Sequence, residues 1–421
     1  MKSLDAIAAE LQAYDPGALR VSVAGEFLAR MVTPVTATET LPLTQALGRV
    51  LAKDLISPLN VPPHDNSAMD GYAFHGHTLP ADGNLVLRVV GRALAGAAWK
   101  GTVKTGECVK IMTGAVMPEG LDTVVPQELV QAEAEQITVP GGLLRAGDNR
   151  RHCGEDLRQG QVALLKGEHI SPAALGLVAS LGIQHLELAR RLRVAYFSTG
   201  DEILSLGEAP REGAVFDSNR YTVFGLLSRL GCEVIDLGVV PDQPAALEAA
   251  FAQAALVADA IITSGGVSVG EADHTRKMMK DLGDVVFWRI AMRPGRPMAV
   301  GRIGQVPLFG LPGNPVAVMV TFLALVRPAL LQMMGQRASQ QPLLQARSLE
   351  AIRKKPGRTE YQRATVGTDG QGRLVAMSTG NQGSGILSSM VQANGLMVLH
   401  HDQGNIAAGD LVDVMMFQGV I

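Results

Sequence analysis

Three short segments place glycine beside hydroxyl or amide groups directly after apolar runs: STGDE at 198–202, SGGVS at 264–268 and GLPGNP at 310–315. Glycine lets backbone N–H groups approach a ligand closely. Loops that lead into helices add the anion preference of a helix N-terminus. Each loop alone also reads as an ordinary turn before a helix, but three on one sheet point to a ligand bearing phosphate. The candidate binding residues here are Ser264, Gly265, Gly266, Pro312, Gly313, Asn314 and Pro315. Acids crowd the same stretches: Asp201, Glu202, Asp217, Asp242, Glu271 and Asp273. Beside a phosphate they would repel the ligand unless a cation intervened. Mg²⁺ fits, because it takes oxygen ligands and keeps water and substrate phosphates in its shell. Glu202, Asp242 and Asp273 are the candidate catalytic acids and metal ligands. Asp217 and Asp242 also stand where a helix N-cap would.

The peptide FWRIAMRPGRP at 287–297 brings Arg289, Arg293 and Arg296 around one turn. Planar guanidinium forks suit oxyanions, and a solvated basic turn is the alternative reading. His64, His152 and His274 have no partner at metal-binding spacing, and His400 and His401 are adjacent, so no zinc pattern is present. Cys108, Cys153 and Cys232 are too few and too scattered for a disulfide framework, which implies a reducing compartment.

These segments need a scaffold. From 191 onward, apolar runs at 194–198, 233–240, 258–263 and 306–310 alternate with helical patterns after 219, over 242–256 and from 315 to about 334. That alternation predicts a doubly wound parallel sheet, whose ligands bind beyond the carboxyl ends of its strands. Upstream, residues 60–147 carry short β-like runs between glycines and prolines and predict a small β domain. Around it, helical patterns at 1–20, 23–31 and 171–181, and a helix-then-strand pattern at 43–55, predict a mixed domain made of 1–59 and 148–189. A polar linker near 336–345 precedes a last β-rich domain, giving boundaries of 190–335 and 336–421.

With 421 residues, 47% of them hydrophobic, several such domains can each bury a core. The formal charge of -3 and an aromatic content of 4% give no global case for nucleic acid. The N-terminus lacks the basic region and apolar core of a signal peptide. No uncharged apolar stretch approaches the roughly 18 residues of a membrane span. A cytoplasmic protein without membrane contact is expected.

Several quoted segments, in order, resemble the molybdopterin molybdotransferase family, the bacterial relatives of the C-terminal domain of gephyrin: VPPHDNSAMDGYA (61–73), IMTGAVMPEGLDTVV (111–125), GDNRRHCGEDL (147–157), FSTGDEI (197–203), FDSNR (216–220), SGGVSVGEADHT (264–275), LPGNPVAV (311–318), GRTEYQRA (357–364) and TGNQGSGILSSM (379–390). The combination of DNSAMDGYA, SGGVSVGEAD and LPGNP is specific, and residues 1–20 stand outside the pattern. The resemblance implies a homodimer of four-domain subunits. One domain would be similar to molybdopterin adenylyltransferases, and the C-terminal one would be a β-barrel. The implied reaction inserts molybdate into adenylyl-molybdopterin and releases AMP, with possible handover from an adenylyltransferase. The resemblance adds Asp70 and Thr113 as catalytic residues that complete the partner's cleft, and Glu155, Asp156, Arg289, Arg293, Arg363 and Ser384 as substrate-binding residues. An adenylyltransferase, or a gephyrin-like scaffold, is the alternative. Two departures stand out. Arginine occupies 289, 293 and 296 where the family often has lysine, and Ala317 occupies a position where serine is common.

Overall fold

The computed structural model describes residues 2–266, 273–337 and 341–418, with residues 273–277 described by their backbone only. Side-chain alternation sets the central layer. Strand Arg193–Thr199 sends Val194 and Tyr196 to one face and Ala195 and Phe197 to the other, all of them buried. A strand buried on both faces needs cover on both. Helices Val21–Met31, Ser218–Leu230 and Pro315–Thr321 pack on the first face, and helices Pro244–Val257 and Asp273–Leu282 on the second.

The sheet runs in the order Glu233–Val240, Arg193–Thr199, Ala260–Ser264, Val306–Leu311, Pro297–Ile303, Gly283–Arg289. The first four strands are parallel, as the alternation with helices predicts. Pro297–Ile303 runs antiparallel to both its neighbours. The connections explain this, since residues 304–305 on one side and 290–296 on the other are both too short for the crossover a parallel pair requires.

Local capping follows the sequence in part. Asp217 caps helix Ser218–Leu230 by accepting from the Arg220 N–H at 3.0 Å. Asp242 is not the cap residue of the next helix: that helix begins at Pro244 behind Gln243, and proline fills a first-turn position whose N–H would have no helical partner. The long apolar helix expected after 315 is broken in register by a π-turn at Phe322–Val326 before resuming at Arg327–Met333. By length and composition Pro315–Met333 could cross a membrane, yet 67% of its most apolar window is buried inside this protein.

The flanking units are simpler. Thr38–Pro42 pairs with His185–Ala189 and Leu55–Ile56 with Val162–Leu164, covered by helix Pro172–Ser180. The helix expected within 43–55 is only a 3-10 turn at Leu43–Gln45. The backbone beyond it pairs elsewhere, Gly48 N–H with Ile170 C=O at 2.9 Å and Leu51 N–H with Glu168 C=O at 2.9 Å. Between these strands lies a separate sheet, ordered Thr123–Pro126, Gly71–Phe74, Glu107–Ile111, Leu85–Ala93, Gln136–Val139, Gln131–Glu133. The chain enters and leaves it through the antiparallel pair Asn66–Ser67 and Arg150–Arg151. At the C-terminal end, Leu344–Ser348, Thr359–Thr368, Leu374–Ser378, Gly395–Leu399 and Leu411–Met416 close into a barrel. Ala346, Ala364 and Ala376 suit its narrow interior.

Candidate active site

A cleft of about 1090 Å³ opens beyond the carboxyl ends of the parallel strands. Strand Arg193–Thr199 delivers Ser198 and Thr199, followed by Gly200 and Glu202; Ala260–Ser264 delivers Ser264, Gly265 and Gly266; Val306–Leu311 leads to Pro312, Gly313, Asn314 and Pro315. The start of helix Ser218–Leu230 adds Asp217 and Asn219, and Asp242 follows strand Glu233–Val240. The turn after Gly283–Arg289 adds Arg293 and Arg296, and Gln382, Gly383, Ser384 and Gly385 close the cleft from the barrel's loop.

The loops are fixed by their own contacts. Gly265 sits at φ 91°, and a Cβ there would lie 2.3 Å from the Thr199 carbonyl oxygen, so only glycine fits. The hydroxyls of Tyr196, Ser198 and Ser264 form a buried triangle beneath the cleft, with separations of 2.8, 2.7 and 3.2 Å. Burial raises the Tyr196 phenol well above its usual range, so it stays a neutral partner in that network. Asn219 donates from Nδ2 to the Gly313 carbonyl at 2.7 Å, and Val316 N–H donates to the Ser384 carbonyl at 3.1 Å. The sheet loops and the barrel loop are thus tied into one rim.

Charge divides the cleft. The exposed Glu202 and half-buried Asp242 follow the two strands at one end of the sheet, the buried Asp217 caps the next helix, and the exposed Arg293 and Arg296 stand on the turn after the strand at the sheet's other end, with Ser384 also in the lining. Among the described residues no cluster of three metal-binding side chains forms. Asp273 begins helix Asp273–Leu282, but its side chain lies outside the described residues, as do residues 267–272, including Glu271. Three carboxylates line the cleft; Asp217 is engaged as a helix cap, and the other two, Glu202 and Asp242, form an all-oxygen donor pair. That suits Mg²⁺, which is usually held through one or two carboxylates plus substrate phosphates, better than metals that seek nitrogen or sulfur.

Other expected site residues lie elsewhere. Arg363 is wholly buried and does not line the cleft. Its Nε donates to Ser389 Oγ at 2.9 Å, Nη1 to the Gln382 carbonyl at 3.2 Å, and Nη2 to the carbonyls of Asn381 and Gly383 at 3.0 and 2.9 Å. Its guanidinium donors are spent on protein acceptors, which shape the loop that carries Ser384. Burial, with the Arg293 charge second, lowers its pKa. Arg289 is exposed at the end of its strand and does not line the cleft. Asp70 and Thr113 bond to each other in the inserted sheet's loops, and Glu155 accepts from the His152 N–H at 2.7 Å. None of these, nor Asp156, reaches the cleft of the same chain. Arg296, the third arginine of the turn, lines it too, and so do Asn219, Ser198 and Gln382, which carry no individual role in the sequence. Asn219 lies in the FDSNR segment, where Asp217 is the helix cap, and Gln382 in the TGNQGS segment.

Three family models match in succession: the MoeA N-terminal region (domain I and II) over residues 19–182, a probable molybdopterin binding domain over 195–332, and the MoeA C-terminal region (domain IV) over 345–417. The chain is 42% identical over 387 residues to a molybdopterin molybdenumtransferase of Haemophilus influenzae, covering 92% of this chain and 95% of that one. The chain belongs to the molybdopterin molybdenumtransferase family. A gephyrin of Dictyostelium discoideum is 31% identical, with 90% of this chain matched to 59% of that protein. A crystal structure of a MoeA protein of Pyrococcus horikoshii superposes with a TM-score of 0.82 at 27% identity, covering 95% of this chain and 100% of that one. As a molybdenumtransferase-family member the chain is a transferase of molybdenum-cofactor biosynthesis, and its multidomain architecture is that of the family.

Proposed function

We propose that this transferase brings molybdate to adenylyl-molybdopterin and releases AMP, using the cleft beyond the parallel strands. The observation that carries the reading is the cleft's division: Glu202 and Asp242 after the strands at one end of the sheet, Arg293 and Arg296 after the strand at the other, with Ser384 also in the lining. Such a site suits a substrate with a phosphoanhydride next to a tetrahedral oxyanion. Mg²⁺, held by Glu202 and Asp242, supplies neutralising charge at the phosphoanhydride when bound. Arg293 and Arg296 donate charged hydrogen bonds to molybdate, and the Ser384 hydroxyl adds a neutral one. Backbone N–H groups of Gly266, Gly313 and Asn314 hold phosphate oxygens and orient the anhydride, on loops fixed by the hydrogen bonds of Gly265 N–H to the Leu311 carbonyl and of Asn219 to the Gly313 carbonyl. Arg363 positions Ser384 by gripping the carbonyls of residues 381–383.

The working unit of this reading is a homodimer. Asp70, Thr113, Glu155 and Asp156 stand outside their own cleft, as residues that serve a partner's cleft would. An apolar groove of about 410 Å³ between Tyr221, Leu226, Met319, Leu387 and Val391 offers surface for subunit contact. The adenylylated substrate comes from an adenylyltransferase, and the setting is cytoplasmic. Incubating the protein with adenylyl-molybdopterin, molybdate and Mg²⁺ and analysing products by mass spectrometry tests the reading. Molybdate-dependent AMP is expected, and its absence from folded protein overturns the assignment.

A further inference from the structure

Residues 2–19 lie before, and end at, the first residue matched by the family's N-terminal model, residue 19, and they are built into the core. Leu4, Ile7 and Leu19 are buried, the Leu4 N–H donates to Asp284 Oδ2 at 3.2 Å, and Arg302 Nη1 donates to the Lys2 carbonyl at 2.8 Å. The densest contacts fall at the base of the arginine turn. Arg289 N–H donates to the Pro16 carbonyl at 2.7 Å, Leu19 N–H to the Arg289 carbonyl at 3.1 Å, and Ala291 N–H to the Leu19 carbonyl at 2.7 Å. Leu19 and Ile290 thereby form a parallel bridge beside the last strand of the sheet. Side chains reinforce it. The Trp288 indole N–H donates to the Tyr14 hydroxyl at 3.0 Å, and Phe27 stacks on Tyr14 at 5.8 Å while meeting Trp288 edge-on at 5.0 Å.

We propose that this N-terminal segment is a positioning strap for the anion-binding turn, setting where Arg293 and Arg296 project into the cleft. The turn is held at three places. Its base is gripped by the strap and closed by Ile290 N–H donating to the Arg296 carbonyl at 2.7 Å. Its side is paired with the barrel, Met292 with Thr359 and Arg293 with Glu360. Its tip packs on the long helix, since a Cβ on Gly295 would lie 2.3 Å from Thr321 Oγ1. Of the three, only the strap comes from outside the domains that line the cleft. Loosening the base tilts the turn, and a long arginine side chain magnifies that tilt at its guanidinium. A charged hydrogen bond stretched by about 1 Å falls outside bonding distance, so the oxyanion is held more weakly. This inference rests on the arginines holding molybdate, so the test carries a control for that reading.

The test uses Tyr14→Phe, which removes the acceptor for the Trp288 indole, and Leu19→Ala, which weakens the bridge, with Leu19→Met as the conservative variant. Arg293→Ala is the control. Molybdate dependence of AMP release and equilibrium molybdate binding are measured on each folded dimer, alongside thermal melting. In a Trp99→Phe background Trp288 is the sole tryptophan, so its emission reports the strap directly. The expected result is a KM for molybdate raised on the order of tenfold at nearly constant kcat, a shifted Trp288 emission, and recovery in Leu19→Met. Folded variants that melt earlier but keep native molybdate dependence overturn the proposal while leaving the Arg293→Ala control intact. If Arg293→Ala is also silent, the oxyanion reading of the turn is what fails, and the positioning claim falls with it.

Discussion

Asp70 receives two hydrogen bonds at one carboxylate oxygen, from the backbone N–H and from the hydroxyl of Thr113, each at 2.7 Å. The hydroxyl is the larger influence, the N–H the next, and together they hold the Asp70 carboxyl below its usual range. A lowered folded pKa stabilises the folded chain above the ordinary value of 3.8 and loses that contribution as the pH falls through the folded value. At neutral pH the pair is therefore a fixed, ionised unit. In a shared-cleft dimer assayed at a Mg²⁺ concentration too low to support Glu202→Gln, exchanging Asp70→Ala chains with Glu202→Gln chains rebuilds one native cleft in each hybrid. Recovery of about a quarter of wild-type activity per chain is expected from random exchange. Verified exchange without recovery shows that each cleft is complete within one chain.

Glu202→Gln and Asp242→Asn remove one carboxylate each from the cleft's acidic side. Both variants are expected to fold normally, because one residue is exposed and the other half-buried. Each is expected to raise the Mg²⁺ concentration needed for half-maximal AMP release by on the order of tenfold, with activity abolished by chelator in the native chain. A Mg²⁺ titration of the three proteins decides the matter.

The arginines separate ligand binding from loop architecture. Arg293→Ala is expected to leave thermal melting nearly unchanged and to weaken molybdate use by about 1.5–3 kcal/mol, the range for a lost charged hydrogen bond. Arg363→Ala strands the carbonyls of Asn381, Gln382 and Gly383 that its guanidinium now serves, and is expected to lower stability by on the order of 3 kcal/mol. Parallel melting curves and molybdate titrations distinguish the two outcomes.

Thiol chemistry gives a simple check of the packing. Burial pushes the thiols of Cys108 and Cys232 up to about 12, whereas Cys153 is exposed. A water-soluble disulfide reagent near pH 8 is expected to react quickly with one thiol per chain, because the thiolate is the reactive form. Rapid modification of all three in native protein means that the cores around Cys108 and Cys232 are open.

Much of this was legible before folding. The strand ends at 198–202, 264–268 and 310–315 declared themselves because buried parallel strands are apolar throughout and break abruptly into glycine and polar residues. What escaped was any feature that depends on contacts between distant segments. The family resemblance implies that Arg363 binds substrate, and only the course of residues 381–383 shows its donors spent on carbonyls. Arg289 and Arg296 look equivalent until the turn's closure sends one into the cleft and leaves the other at the strand end. The role of Tyr14 and Leu19 depends on a strand some 270 residues later in the chain, a separation no local pattern encodes.

The narrow neck of the inserted sheet bears on the order of folding. Asn66 faces Arg151 and Ser67 faces Arg150, so the host unit can bring its halves together only by closing a loop of about 80 residues, whose entropic cost grows with the logarithm of that length. If the insert folds first, its two ends are already neighbours, and the host meets a short tether instead of a long one. Assembly from the inside outward thus becomes the less costly route. Damage to the insert's core, around Val109, Ile111 and Val124, would then delay the pairing of Thr38–Pro42 with His185–Ala189, although the two regions share no strand.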